Sequence, residues 1–355
     1  MKTSKKVGYS KIAALSSYLF LGILTIFIGP GAGLCLAKAV DVHNPGNLER
    51  ALGDNSSTVI NIKASYITLG QNLPVVNRSL AISGETNGST LDGNEKYRIL
   101  EFNPNLADIT INNIRFQNGR NEDPADNNNG GGAAHIGERT TIAFNSTDFS
   151  NNTAVSHGGA IYYRGNVNNN ILRFNGKTTF AGNESTNGSG GAILAVFSDL
   201  IFAGEAKFVN NRSLVVGGAI ELYSPDDDGA GSRVIFEKAA SFSGNSSKNA
   251  GGAISSEGNV NSRNSLIFNS GAIFIGNEST NGFGGAILGV FSDLIFAGEA
   301  KFVNNRSFYD GGAISLHSVD CGGNGSRVIF EKAASFSGNS SKDVGGAISS
   351  EGNAQ

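Results

Sequence analysis

The chain has 355 residues, with 27 lysines and arginines against 30 acids, 49 glycines and two cysteines. That slightly acidic balance excludes a surface built to neutralise nucleic-acid phosphates, and two cysteines exclude a disulfide-framed domain.

Residues 1–39 read as an export signal. Lys2, Lys5, Lys6 and Lys11 precede an apolar run from Ile12 to Gly29, then come Pro30, Gly31 and Gly33, and the segment closes on Ala37-Lys38-Ala39. A basic start, an apolar middle and a small-residue exit make the pattern of a cleaved secretory signal, with the cut expected after Ala37 or Ala39. An uncleaved anchor is the rival reading of the 18-residue apolar run; Gly22 and the break at Pro30 favour removal. Leu34 stands before Cys35, where a lipid-anchored form wants a small residue. Loss of five lysines leaves 22 bases against 30 acids, a net charge of −8 that suits an exported protein. Cys321 is then the lone cysteine, and a loop thiol without a role is its simplest reading.

Residues 40–129 keep a strand rhythm without any double glycine. Thr58–Ile62, Ser79–Ile82 and Asp108–Ile111 mix polar and apolar positions at strand length, with Asn-Gly or Gly-Asn turns nearby. Asn121–Asn129 (NEDPADNNN) is a polar loop.

From residue 130 two short motifs alternate. Phe-x-x-Asn occurs as Phe149/Asn152, Phe180/Asn183, Phe208/Asn211, Phe242/Asn245, Phe274/Asn277, Phe302/Asn305 and Phe336/Asn339. Gly-Gly-Ala begins at Gly131 and then at Gly158-Gly159, Gly190-Gly191, Gly217-Gly218, Gly251-Gly252, Gly284-Gly285, Gly311-Gly312 and Gly345-Gly346. Each Phe lies 9 or 10 residues before a double glycine, and successive double glycines are 27–34 residues apart. A further match at Phe102 lacks a double-glycine partner. A longer period of 94 residues is superposed: Phe180–Asn259 and Phe274–Asn353 share 66 of 80 positions, so a three-unit block has been copied.

Units of this length with runs such as Leu200-Ile201-Phe202 and Arg233–Phe236, broken every few residues by Gly, Asn, Ser or Asp, lack the amphipathic stretches of helical repeats. The pattern predicts an all-β fold, a right-handed parallel β-helix whose coils stack about 4.8 Å apart. The double glycine gives freedom at a sharp corner. The Ala and Ile after it point to opposite faces, one inward. The repeated Phe stacks along the axis, and the Asn forms an amide ladder at a turn. These roles are structural; an adhesive role for the motifs is the alternative.

Paired Phe-x-x-Asn and Gly-Gly-Ala-Ile motifs behind an export signal resemble the polymorphic outer membrane proteins of chlamydiae, over roughly residues 130–353. The resemblance implies an autotransporter-type architecture: a β-helical passenger on the cell surface, or secreted, that adheres to host cells, followed by an outer-membrane barrel. No series of barrel strands follows Phe336, so the sequence is expected to stop short of that barrel. The expected partner is a host-cell surface receptor or glycan, with self-association through the solenoid ends and no nucleic acid.

Enzyme chemistry stands beside this as a rival. Polysaccharide-active enzymes also use parallel β-helices, and they need paired carboxylates or calcium-binding carboxylates with a base. The densest acidic cluster, Asp226-Asp227-Asp228, sits in a glycine-rich loop and reads Asp320-Cys321-Gly322 in the copied block. His43, His135, His157 and His317 lack partners at zinc-site spacing. No catalytic, metal or cofactor site is therefore expected. A polysaccharide-active enzyme and a truncated, non-functional gene copy stay open as alternatives to an adhesin. Binding is expected in the loops that differ between the two blocks, Leu214–Val216 against Phe308–Asp310 and Glu221–Ala230 against Ser315–Asn324.

Overall fold

The computed structural model describes residues 37–122, 130–165, 170–225, 231–318 and 325–351. The export signal up to residue 36, most of the polar loop, Asp226-Asp227-Asp228 and Cys321 lie outside the described residues. Everything described from Lys38 onward belongs to one unit, and that unit is a parallel β-solenoid.

One coil shows the plan. Asp199–Phe202 forms a first face and Ala206–Val209 a second; Arg212–Ser213 makes a two-residue corner strand, and Ile220–Tyr223 forms a third face. Each strand pairs in parallel with its counterpart one coil on, so Phe202 lies opposite Phe236, Phe208 opposite Phe242, Ser213 opposite Ser247 and Ile220 opposite Ile254. Repetition builds sheets of 11, 10, 7 and 9 strands, each in sequence order, so that a coil touches only its neighbours.

The period of two along each short strand decides which side chains go inside. Leu200 and Phe202, Ala206 and Phe208, and Ile220 and Leu222 all belong to one continuous apolar core. Lys207 and Ile201 between them face outward. Full burial of an aliphatic or aromatic side chain is worth roughly 1.5–3 kcal/mol, and this core repeats that gain in every coil.

Both residues after the double glycine are buried, in contrast to the expectation that they take opposite faces. Ala219 and Ile220 are 0% exposed, as are Ala192 and Ile193. Ala219 lies in the bend before the strand rather than on it, so the alternation starts at Ile220.

The early coils follow the strand rhythm, with strands at Ser57–Ile62, Ala81–Ser83 and Ile109–Asn112. One element departs from that rhythm: a helix over Pro45–Gly53. Asn44 caps it through Oδ1, which accepts from the Asn47 amide at 2.9 Å, and Pro45 occupies the first turn. Leu48, Ala51 and Leu52 enter the core against strands Lys38–Val42 and Ser57–Ile62. Arg78 donates to the carbonyls of Ala51 and Leu52 at 2.8 and 2.7 Å, satisfying the helix's C-terminal end. This helix is too short and too polar to cross a membrane, and no other helix is present among the described residues.

Candidate functional site

The repeated motif residues are the first candidates, and their side chains are used up inside the solenoid. Phe116, Phe149, Phe180, Phe208, Phe242, Phe274, Phe302 and Phe336 form one column of stacked rings with centroids 4.7–5.0 Å apart. A second column, Phe144, Phe174, Phe202, Phe236, Phe268, Phe296 and Phe330, stacks at 4.6–5.3 Å. Rings of the two columns meet edge to face, as Phe202 does with Phe208 at 5.6 Å and 80°. Phe102 sits on the third face and belongs to neither column.

Asn152, Asn183, Asn211, Asn245, Asn277 and Asn305 are 0% exposed. The side-chain amide of Asn211 makes every bond it can. Its Oδ1 accepts from Asn183 Nδ2 at 2.9 Å and from the Asn183 amide at 3.0 Å. Its Nδ2 donates to Asn245 Oδ1 at 2.9 Å and to the Phe180 carbonyl at 3.0 Å. Asn305 repeats the pattern one block later. Its Oδ1 accepts from Asn277 Nδ2 at 2.9 Å and from the Asn277 amide at 3.0 Å. Its Nδ2 donates to Asn339 Oδ1 at 2.9 Å and to the Phe274 carbonyl at 3.0 Å. Asn211 and Asn305 thus spend their side-chain amides inside the ladder, and none of the six buried Asn side chains reaches the surface.

The double glycines from Gly158-Gly159 to Gly311-Gly312 are corners with no room for a side chain. Gly217 has φ +64°, and a Cβ on Gly218 would lie 2.1 Å from the Gly252 carbonyl oxygen. With these groups committed to the fold, a ligand can meet only the outer faces.

The third face carries the outward residues of most interest. Its first outward column runs Tyr162, Leu194, Glu221, Ser255 and Leu288. The second runs Arg164, Val196, Tyr223, Glu257 and Val290. The chain before each double glycine folds back over the first column, which is why Glu221 is only 5% exposed although it points away from the core. A groove of about 480 Å³ remains between these segments. Its walls are His157, Tyr162, Leu194, Val196, Phe197, Val215 and Val216, and Ser189, Glu221, Tyr223, Glu257 and Arg164 supply its polar groups.

Burial shapes the charge of this groove. It pushes the Glu221 carboxyl well above its ordinary range, Glu257 adds to the effect, and a hydrogen bond from Ser189 works against it. Burial also raises Glu257, whose carboxylate accepts from Ser255 Oγ at 2.9 Å, and lowers His157. Phe197 stands on the wall with φ +46°, a left-handed conformation costly for a side chain with a Cβ. Its ring packs against Tyr162, Leu194 and Val196.

The copied block gives an internal comparison. The positions equivalent to Ser189, Val215, Val216, Glu221 and Tyr223 are Phe283, Tyr309, Asp310, Ser315 and His317. There Phe283 packs 4.7 Å from His317 and 5.3 Å from Tyr309, ring to ring. Aromatic rings therefore occupy in the second block the space that the first leaves as a groove. Divergence in sequence marks 214–216 and 221–230; the structure brings 215, 216, 221 and 223 together with Ser189, which lies outside both divergent loops.

The predicted absence of a metal site bears on the histidines, whose positions are now plain. His135 stacks on Tyr162 at 5.5 Å, His157 lines the groove, and His317 packs on Phe283. Among the described residues no three His, Cys, Asp or Glu side chains converge as metal ligands.

Fold and repeats together define the class: a β-solenoid whose coils are built from Phe-x-x-Asn and Gly-Gly-Ala units. Residues 146–164, 239–257 and 333–351 match the Chlamydia polymorphic membrane protein repeat, which supports the polymorphic membrane protein family. It is 32% identical over 178 residues to a probable outer membrane protein, pmp21, of Chlamydia pneumoniae. That match covers 47% of this chain and 10% of the relative, so the chain spans a small part of that protein's length. No solved structure matches.

Proposed function

We propose that this chain is a surface-exposed, non-catalytic solenoid that attaches the bacterium to host cells. The family and the relative's description as an outer membrane protein support the surface location. The observation that carries the attachment reading is the contrast between inside and outside. Ladder Asn and Phe residues, together with the corner glycines, recur coil after coil with their side chains or close backbone approaches spent on stacking. Divergence between the two blocks gathers instead at outward positions on the third face, where a scaffold kept for display varies its contacts.

The test is adhesion of beads coated with the full chain to cultured host cells. Saturable adhesion that soluble chain competes away is the expected result; adhesion no better than bare beads overturns the proposal. Glu221 beside Glu257 is the one observation that favours a polysaccharide-active enzyme on the same scaffold, because glycosidases use two carboxyl groups. Glycan turnover that Glu221→Gln abolishes would replace attachment with catalysis.

A further inference from the structure

We propose that the groove on the third face of the first copied block binds an uncharged pyranose oligosaccharide. This rests on the attachment reading for its biological setting but not for its chemistry.

The groove crosses four adjacent strands, Ile161–Arg164, Ile193–Val196, Ile220–Tyr223 and Ile254–Glu257. At about 4.8 Å between strands it runs roughly 14 Å along the solenoid axis, the reach of a short sugar chain rather than of one small molecule. Its volume, about 480 Å³, falls in the range of ordinary ligand sites. Tyr223, 38% exposed, and the half-buried Phe197 present ring surfaces that match the C–H faces of pyranose rings, while Tyr162, stacked on His135, forms part of the closed wall beneath. Glu221, Glu257 and Ser189 supply acceptors and donors suited to vicinal hydroxyls.

Two alternatives fit less well. An extended peptide gains affinity by pairing its backbone with a free sheet edge. Here the backbone groups of all four strands are already spent on the strands above and below, so a peptide would find side chains only. An anionic sugar would bring its charge beside two carboxyl groups in a poorly solvated place, with one arginine, Arg164, at the exposed rim. A neutral sugar meets neither obstacle. Burial, which favours uncharged forms of Glu221, Glu257 and His157, works in the same direction.

The second block shows how the site is closed without loss of the fold. Phe283 takes the position of Ser189 and Ser315 that of Glu221, with Tyr309, Asp310 and His317 in place of Val215, Val216 and Tyr223 around them. The double variant S189F/E221S therefore transplants a pair of residues that this solenoid already accommodates.

The experiment is equilibrium binding of the full chain to four probes at neutral pH: cellotetraose, maltotetraose, a neutral lactosamine tetrasaccharide and a heparin tetrasaccharide. The expected result is saturable binding of at least one neutral probe, about ten-fold or more weaker in S189F/E221S, as loss of one hydrogen-bonded, buried contact implies. Thermal unfolding of that variant near the parent midpoint confirms that the loss is local. Failure of all three neutral probes to bind, preference for heparin, or binding unchanged by the double variant each overturns the proposal. Cell adhesion that survives S189F/E221S while neutral sugars fail leaves the attachment reading standing and the groove assignment refuted. Sugar binding without cell adhesion does the reverse.

Discussion

The side chain of Asn183 donates to Asn211 Oδ1 at 2.9 Å, and the main-chain amide of Asn183 reaches the same oxygen at 3.0 Å. One acceptor therefore holds both the ladder and the backbone turn of the preceding coil. Asn211→Ala removes it and leaves a buried N–H unpaired, which costs about 1–3 kcal/mol by itself. The Phe180 carbonyl loses the Asn211 side-chain donor in the same change, and Asn245 Oδ1 keeps only the Asn211 main-chain amide at 3.0 Å. We expect a loss of about 3 kcal/mol or more, read as a lower urea midpoint, and a change under about 0.5 kcal/mol for the outward Lys207→Ala.

Asn211→Asp separates donor from acceptor. Its oxygens still accept from Asn183, but one now faces Asn245 Oδ1 and the Phe180 carbonyl with no proton to offer. The new carboxyl has its charged form disfavoured by burial, so its folded pKa lies above its unfolded one. Stability is then highest below the unfolded pKa and falls as pH rises through the folded one. Urea midpoints of Asn211→Asp should drop between about pH 4 and pH 8 relative to the parent; a parallel profile contradicts the ladder geometry.

The second glycine of each corner makes a sharper contrast. On Gly218 a Cβ would stand 2.1 Å from the Gly252 carbonyl oxygen, a backbone atom that cannot move aside without breaking the coil. On Gly346 the nearest atom, the Asn339 carbonyl oxygen, is 3.6 Å away. Gly218→Ala is expected to open that coil to proteolysis, with a loss above about 3 kcal/mol. Gly346→Ala should be within about 0.5 kcal/mol of the parent. Limited proteolysis with mapped cleavage sites distinguishes the two.

Much of this arrangement is legible in the sequence because each coil repeats the same physical problem. The Phe-x-x-Asn spacing contains the ladder, and the double glycine contains the corner. The second ring column is equally present, since Phe202, Phe236, Phe268, Phe296 and Phe330 each lie 6 residues before a motif Phe. It is less conspicuous because no fixed residue accompanies it: Ala, Glu or Asn follows the ring. Phe116 stacks without an Asn three residues on, because Gly119 stands there and its main-chain amide bonds Asn152 Oδ1 at 2.9 Å. The residue before each ladder Asn also carries a signal: Asn210 and Asn304 have φ +53° and Gly182, Gly244 and Gly338 +63°, so Asn or Gly is required there by left-handed backbone. The helix is announced by Asn44-Pro45, a cap and a first-turn proline, but is masked by the surrounding strand rhythm. The groove is only half legible. A period of two from Ile220 points Glu221 and Tyr223 outward, yet nothing local shows that Ser189 and Val215, one and two chain segments away, fold over the same face.

The groove predicts a pH response that can be assigned to one residue. Glu221 is an acid whose folded pKa is raised from its ordinary 4.5, chiefly by burial and then by Glu257. The folded state binds its proton more tightly than the unfolded state, so its contribution is fully present below about pH 4.5 and is lost as pH rises through the folded pKa. Glu257 acts in the same sense, while His157, lowered by burial, acts oppositely as pH falls through its ordinary 6.5. Arg164 stays charged at the rim. Glu221→Gln keeps the shape and the Ser189 contact but removes the titration. Its melting midpoint should therefore gain on the parent steadily from about pH 4 to pH 8, with the slope due to Glu257 remaining until Glu257→Gln is added. His157→Gln should leave that gain intact and change only the acid limb. A parent and Glu221→Gln pair whose melting midpoints run parallel across this range would show that the Glu221 carboxyl reaches water, and the closed floor of the groove would have to be abandoned.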